Sequence, residues 1–305
     1  MKTLLTTTLF LMATLGSLFG EDKQPRILII TDKDTFTGYM VDANKTAFRW
    51  RENDRSTVSR LQRLSTCTVY FIHPPELIEA QELYKSRNYK DAAEKFAQCF
   101  KDYEKFKDVK GNPATLAGFY ELECYRRLED LETLMSLAEK YDPQHLLHQD
   151  HLVQYEIYSV FWDAVRTKGW ERLDAICADS KWRDRKLPGS QRAQILYCHG
   201  LALEGIERPL KALNAYNGAF VADFSASEEI TRKSALNCLR ILLGHEDVKT
   251  AMELYSTEDY SDDSNGAGLI KEATALLALW DKVLGGGEKI PAKYKVFLNY
   301  PPKGN

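Results

Sequence analysis

The feature that most constrains the fold of this 305-residue chain is a helical pattern that returns about every 39 residues. From Glu76 onward, apolar residues recur with helical spacing, and a small or apolar residue stands early in every second helix. These residues are Ala92, Leu134, Leu173, Ala212 and Ala251, at separations of 42, 39, 39 and 39 residues. A regular period of this length predicts an α-solenoid, in which each helical hairpin buries its apolar face against its neighbours.

The residues around these positions support the same register. Turn residues precede the second helices at Asn88, Gly169, Gly205 and Gly244, and Pro209 stands at a first helical position. One helical turn after the small position, the same helix face carries Phe96, Ala138, Cys177, Tyr216 and Tyr255.

These hairpins resemble the tetratricopeptide repeat (TPR), in which a small residue early in the second helix packs against a small residue of the first. The best-matching units run from Gly200 through Ala212 and Tyr216 to Ala219, and from Ala80 to Phe96. The period is longer than the family's usual length of about 34 residues, and leucine replaces the small residue in two of five hairpins. The resemblance implies about five TPR-like hairpins over residues 76–284.

A further step of the same period places a capping helix at about Ala267–Leu284. Gly285–Gly287 then falls at the expected turn, and Pro291 prevents a full second helix. Residues 285–305 therefore form a C-terminal tail, which either packs back through Tyr294, Val296 and Phe297 or binds a partner.

Residues 26–73 have a different texture, with short β-branched and aromatic runs between polar turns. Four or five short strands in this space favour a small closed barrel, since closure hides the sheet edges. The spacing of Asp32, Phe36 and Gly38 resembles the SH3-like or Sm-like barrels. The predicted fold class is thus an α-solenoid with a small N-terminal all-β, barrel-like domain.

The first twenty residues have the pattern of a secretory signal peptide. Lys2 precedes an uncharged, largely apolar run from Leu4 to Phe19, and Ser17 and Gly20 place small residues at a cleavage site after Gly20. The run is too short to span a membrane comfortably, although an uncleaved anchor is the alternative. No second run of spanning length follows. We expect an exported protein, periplasmic or extracellular, with no transmembrane segment in the mature chain.

Charge and composition argue against a disordered chain and against a nucleic-acid partner. The apolar fraction of 44% and the net charge of −3 exclude a mainly disordered chain. A pI near 6.1 argues against nucleic acid, which requires a basic face. Residues 26–72 carry eight basic and five acidic side chains, so this segment is a basic head on an acidic helical body.

No catalytic or cofactor motif is evident. The chain has no glycine-rich phosphate loop, nucleophile elbow, HExxH pattern or paired CxxC. His145, His148 and His151 are the one ligand-like cluster, but a spacing of three residues spreads the first and third around a helix. We predict no enzyme activity, no cofactor and no metal site, with the histidines in a linker.

The six cysteines leave two alternatives. Cys99 in the first hairpin and Cys124 in the second are the candidate disulfide, because export permits oxidation. The alternative is that these cysteines are buried thiols, because cysteine packs in helices as a small apolar residue.

The resemblance to TPR proteins also implies a concave groove lined by first-helix residues. The groove positions carry an aromatic run followed by a basic end, formed by Phe119, Tyr155, Tyr158, Trp162, Tyr197, Lys233, Asn237 and Arg240. Such a groove suits an extended peptide with apolar side chains and a terminal carboxylate. The alternative is that the longer repeats bury these aromatic rings between helices.

Two functions follow from these expectations. The first is an exported adaptor or scaffold that binds a protein or peptide partner in the cell envelope. The alternative is a protein that binds cell-wall polymer or carbohydrate through the basic β domain and the aromatic groove.

Overall fold

The structure, a computed structural model, describes residues 23–222, 228–285, 287–301 and 303. It is predominantly helical with a five-stranded antiparallel sheet at the N-terminal end, which confirms the predicted fold class. Residues 1–20, the predicted leader, lie outside the described residues. No helix in the described part of the chain is both long and apolar enough to cross a membrane. The chain divides into two compact units, Met1–Tyr155 and Glu156–Asn305.

The sheet is formed by five short strands in the order β4-β3-β2-β1-β5, with every neighbouring pair antiparallel. The strands are β1 (Arg26–Ile30), β2 (Thr35–Ala43), β3 (Ala47–Arg51), β4 (Arg60–Arg63) and β5 (Thr68–Phe71). A β-bulge shifts the register of β2 against β3 between Met40 and Asp42. This arrangement agrees with the predicted number of four or five strands.

The sheet is open, which differs from the expected closed barrel. β4 and β5 are its two edges, and they do not pair with each other among the described residues. Closure is not needed to bury the apolar face, because helices cover it. Ile27, Met40 and Phe48 belong to the same buried core as Phe96 and Phe106 of the helical region.

The helices of the first unit begin directly after the sheet. They are α1 (Pro75–Lys85), α2 (Tyr89–Tyr103), α3 (Pro113–Leu128), α4 (Leu131–Ala138) and the start of α5 (Gln149–Ile157). Asn112 caps α3 by accepting a hydrogen bond from the Thr115 amide, and Asp130 caps α4 through the Thr133 amide.

The second unit continues the pattern of helical pairs. Its elements are a π-helical turn (Tyr158–Trp162), α6 (Asp163–Arg166), α7 (Trp170–Ala178), α8 (Ser180–Arg183), α9 (Gly189–Gly205), α10 (Pro209–Ala222), α11 (Glu228–Gly244), α12 (Glu246–Leu254) and α13 (Asn265–Leu279).

The turn inside the hairpin recurs with the same backbone conformation. Arg87, Glu129, Lys168 and Glu207 have φ values of 66°, 60°, 54° and 59°, in the left-handed region that favours glycine. Each lies two residues before the first residue of a second helix: Tyr89, Leu131, Trp170 or Pro209. These intervals of 42, 39 and 39 residues match the spacing in the sequence, so the periodicity reflects a repeated hairpin.

The predicted repeat positions lie in the interior. Ala92, Leu134, Leu173, Ala212 and Ala251 are all buried.

The C-terminal end consists of α13, a π-helical turn and a 3₁₀ helix. α13 continues as a π-helical turn from Trp280 to Leu284, and the chain then forms a short 3₁₀ helix at Ala292–Asn299. Tyr294 and Phe297 of this segment are buried. The tail therefore packs back onto the second unit, which is the first of the two alternatives.

Candidate functional site

The predicted groove aromatics are mostly in the interior. Phe119, Tyr158, Trp162 and Tyr197 are buried, and Tyr155 is partly exposed. The Trp162 indole donates a hydrogen bond to Gln194 Oε1 at 3.0 Å, and the Tyr155 hydroxyl donates to the Ala138 carbonyl at 2.9 Å. The burial favours the second alternative of the sequence analysis, in which the longer repeats place these rings between helices.

The three polar residues predicted at the basic end of the groove are already engaged. Lys233 pairs with Glu229 at 2.9 Å, and Arg240 pairs with Glu204 at 2.6 Å. Asn237 accepts a longer contact from Arg240 at 3.4 Å. A ligand carboxylate would compete with these internal carboxylates, so the arrangement gives little support to a carboxylate clamp.

Cys99 and Cys124, the candidate disulfide, are both buried thiols in the structure. All six cysteines lie in the described residues, and none of them forms a disulfide there. Burial raises the pKa of Cys99 and of Cys124 to about 12. At neutral pH these thiols are therefore protonated and poorly nucleophilic.

The three linker histidines line a small cavity of about 230 Å³ in the first unit. A short 3₁₀ turn ends at His145, whereas His151 lies inside α5, so the three do not share one helix. His73 and Tyr120 reach the same cavity. Within the described ranges, no group of three His, Cys, Asp or Glu side chains is placed to hold a metal ion.

His151 is the most enclosed of these histidines. Its ring stacks on Phe119 with a centroid distance of 4.2 Å, and its buried Nδ1 has no hydrogen-bond partner among the described residues. Burial, followed by the nearby His148, lowers the pKa of His151, while Asp150 opposes this shift. The folded state therefore favours the neutral ring.

This environment predicts acid sensitivity of the first unit. Because the pKa of His151 is lower in the folded state, the unfolded state binds more protons once the pH falls below the ordinary histidine value of about 6.5. We expect the free energy of unfolding to decrease as the pH falls through this range. The variant His151→Phe keeps a ring on Phe119 and cannot titrate, so its urea unfolding should show a weaker decrease; an unchanged pH profile would contradict the assignment.

A larger cavity, of about 610 Å³, lies between α2, α3 and α4. Its apolar wall includes Phe100, Leu122, Leu137 and Tyr141. The Tyr141 hydroxyl donates to the Thr115 carbonyl at 2.7 Å, which holds the ring as a side wall. The cavity that results is apolar inside and reaches solvent between charged side chains.

Gly118 sets the shape of this wall. A Cβ atom at this position would lie 2.9 Å from Tyr141 Cε2 and 3.1 Å from Phe100 Cδ2. Because glycine has no Cβ, both rings can approach α3 at this point. A larger residue would push at least one ring into the cavity.

Charged side chains from α2, from α3 and from the segments that follow α2 and α4 surround the cavity. Lys101 and Lys140 form no ion pair with any described residue, whereas Lys107 pairs with Glu104 at 3.1 Å. Glu121 reaches the cavity from α3, and burial raises its pKa to about 7, with Lys101 opposing the shift. The Glu121 carboxyl group therefore gains or loses a proton near neutral pH, so a charged ligand in the cavity should shift this protonation equilibrium.

Glu121 was not singled out from the sequence. The signals available there were Gly118 one helical turn before it and apolar residues on the same helix. These signals do not identify a cavity. Its other walls come from residues of α2 and of the segment after α4, which are distant from Glu121 in the sequence.

The chain matches no family model, no curated protein and no solved structure. The class that its fold defines is a protein of repeated helical hairpins with a small antiparallel sheet at the N-terminal end. Any assignment beyond this class depends on the chemistry of the surfaces and cavities described above.

Proposed function

We propose that the chain is an exported, TPR-like adaptor that holds a protein or peptide partner in the cell envelope. The single observation that carries this proposal is the 610 Å³ cavity between α2, α3 and α4, with an apolar interior and a charged rim. Ligand-binding cavities have volumes of about 300–1000 Å³ and mainly apolar walls with a few polar groups. The cavity is therefore better suited to binding the side chains of a partner than to catalysing a reaction.

The position of this cavity also supports a binding protein. Solenoids built from repeated hairpins offer extended surfaces, and recognition takes place on those surfaces. The cavity contains carboxylates and lysines but no nucleophile activated by a neighbouring base. Export is supported by the apolar leader pattern that ends at Gly20.

The alternative, binding of cell-wall polymer or carbohydrate, has less support. It requires aromatic rings exposed for stacking on sugars, whereas Tyr158, Trp162 and Tyr197 are buried. Two basic groups of the sheet are also paired, Arg49 with Asp42 and Arg60 with Glu52, whereas Arg26 and Arg63 form no ion pair with any described residue.

The test compares two tryptophan variants on α2. Ala97 lines the cavity, whereas the neighbouring Gln98 is exposed and does not. We expect Ala97→Trp to lower the recovery of a specific envelope partner by about tenfold or more, corresponding to about 1.4 kcal/mol of binding energy. Gln98→Trp should leave recovery unchanged, and circular dichroism should show that both variants fold.

The same proteins should be sedimented with purified cell-wall polymer. Saturable sedimentation without capture of any protein partner would contradict the adaptor proposal and favour the alternative. Equal capture of the partner by Ala97→Trp and by the unmodified chain would show that the partner does not bind in the cavity.

A further inference from the structure

The carboxyl group of Glu121 is unusual because it faces an apolar cavity without a partner. Its side chain is partly buried beside Gly118 and Leu122, and it forms no hydrogen bond or ion pair with any described residue. Carboxylates withdrawn from water are normally paired, because an unpaired buried charge is unfavourable. Glu121 is therefore a group whose charge the fold itself does not compensate.

Glu123, two residues further along α3, shows the contrast. Its carboxylate pairs with Arg126 at 2.6 Å and with Arg127 at 2.9 Å. Both glutamates are withdrawn from water, yet of the two only Glu123 has cationic partners among the described residues. Among the groups around the larger cavity, Lys101 is the one that favours ionisation of Glu121. The two side chains do not form an ion pair.

We propose that the larger cavity binds one basic side chain of the partner, with its guanidinium or ammonium group on the Glu121 carboxylate and its aliphatic stem against Phe100, Leu122 and Tyr141. Long basic side chains readily bury their stems on apolar surface while the charged head keeps a polar contact. A charge-assisted hydrogen bond to Glu121 would supply the compensation that the fold lacks.

The rim specifies the neighbours of that basic residue. Lys101 and Lys140 carry unpaired positive charges at the mouth of the cavity. Beside these two lysines a second basic residue would be repelled and an acidic one attracted, whereas Asp108 on the same rim has the opposite effect. The occupant is therefore a peptide segment with a single basic residue beside apolar or acidic residues. This inference rests on the proposed function, because it specifies the chemistry of the same partner.

Binding of a cation should be coupled to ionisation of Glu121. The cation pairs with the carboxylate, so a protonated Glu121 must first release its proton, and affinity should fall as the pH is lowered through about 7. The other charged or titratable groups around the cavity are Lys101, Glu104, Lys107, Asp108, Lys140, Asp142 and His145. His145 is the histidine among these groups, so it has its own control.

The experiment uses a matched pair of small probes, 4-phenylbutylguanidine and its neutral analogue 4-phenylbutylurea. Their affinities for the intact protein are measured by calorimetry or by NMR shifts at about pH 5.5 and pH 8. We expect the guanidine to bind about tenfold tighter than the urea at pH 8, as expected for a charge-assisted contact. At pH 5.5 this preference should be largely lost.

Three variants locate the effect. Glu121→Gln should abolish both the preference for the guanidine and its pH dependence. Asp108→Asn removes one unpaired negative charge from the rim and should preserve both, as should His145→Gln.

The outcomes separate the two proposals. Equal binding of guanidine and urea, or a preference that survives Glu121→Gln, would overturn this inference. If Ala97→Trp still prevents partner capture in that case, the adaptor proposal stands and only the basic side chain is wrong. If neither probe binds and partner capture is also unaffected by Ala97→Trp, both proposals fail.

Discussion

The variant Glu123→Gln should lower the free energy of unfolding by about 3–5 kcal/mol. The Glu123 side chain is 10% exposed and that of Arg126 is 1% exposed. Two hydrogen bonds join them, at 2.6 and 2.8 Å, and Arg127 adds a third at 2.9 Å. Glutamine keeps the shape of the side chain but removes the negative charge, which leaves two guanidinium groups in the interior without their shared carboxylate.

The surroundings of Glu123 make this loss difficult to relieve. The hydroxyl of Tyr84 contacts Oε1 of Glu123 at 3.3 Å. The ring of Tyr84 packs against Tyr89 and Tyr120, with centroid distances of 5.5 Å in both cases. Burial lowers the pKa of Arg127, but Glu123, Tyr84 and Tyr89 raise it, so the pKa of Arg127 lies above its ordinary value. A guanidinium group is protonated throughout the physiological pH range, so Arg127 stays charged when its partner is removed.

A matched control is available on α1. Glu82 pairs with Lys85 at 2.6 Å with the same three-residue spacing, but these side chains are 63% and 67% exposed. The same change, Glu82→Gln, should cost less than about 1 kcal/mol because solvent screens an exposed pair. Both variants are compared by urea unfolding followed by circular dichroism. Similar losses in the two variants would show that burial does not govern the Glu123 contacts.

The hairpin register could be predicted because it depends on short-range geometry. Tyr89, Leu131, Trp170 and Pro209 each begin a helix three residues before a predicted repeat position, whereas α12 begins five residues before Ala251. A turn and the first positions after it depend on a few consecutive residues. The same turn therefore repeats wherever the local pattern repeats.

Burial of the first-helix faces could not be predicted in the same way. The groove implied by the resemblance includes Phe119, Tyr158 and Trp162, yet all three are buried. Which face of a helix becomes covered depends on how neighbouring helices are oriented, and this is set by contacts between residues distant in sequence. In the first unit, the sheet and the helices also share one core, which periodicity alone does not reveal.

The larger cavity illustrates the same limit at the site. Glu121 follows an ordinary helical pattern, and acidic residues are common on helix surfaces. Its unusual environment arises because Gly118 admits the rings of Phe100 and Tyr141, which come from different elements. The chemistry of this carboxylate therefore emerges only from the tertiary arrangement.

A second large effect is expected for Gly200→Ala in α9. A Cβ atom at this position would lie 2.4 Å from Cε1 and 2.6 Å from Cδ1 of Tyr216, well inside van der Waals contact. Tyr216 is fully buried, and its hydroxyl donates to Glu204 at 2.7 Å, so the ring cannot move without disturbing that contact. We expect a loss of about 1–3 kcal/mol from overpacking, although alanine favours a helix over glycine.

The opposite sign is expected for Gly268→Ala in α13. A Cβ atom there would have no neighbour within 4 Å, so only the helix preference acts, and the variant should gain about 0.5–1 kcal/mol. A double variant, Gly200→Ala with Tyr216→Leu, should lose less than the sum of the two single changes, because removing the ring removes the clash. Additive losses in urea unfolding, or a stabilised Gly200→Ala, would mean that the hairpin does not require close approach at Gly200. A destabilised Gly200→Ala beside a stabilised Gly268→Ala would instead identify this contact as the reason that the best-matching repeat has glycine there.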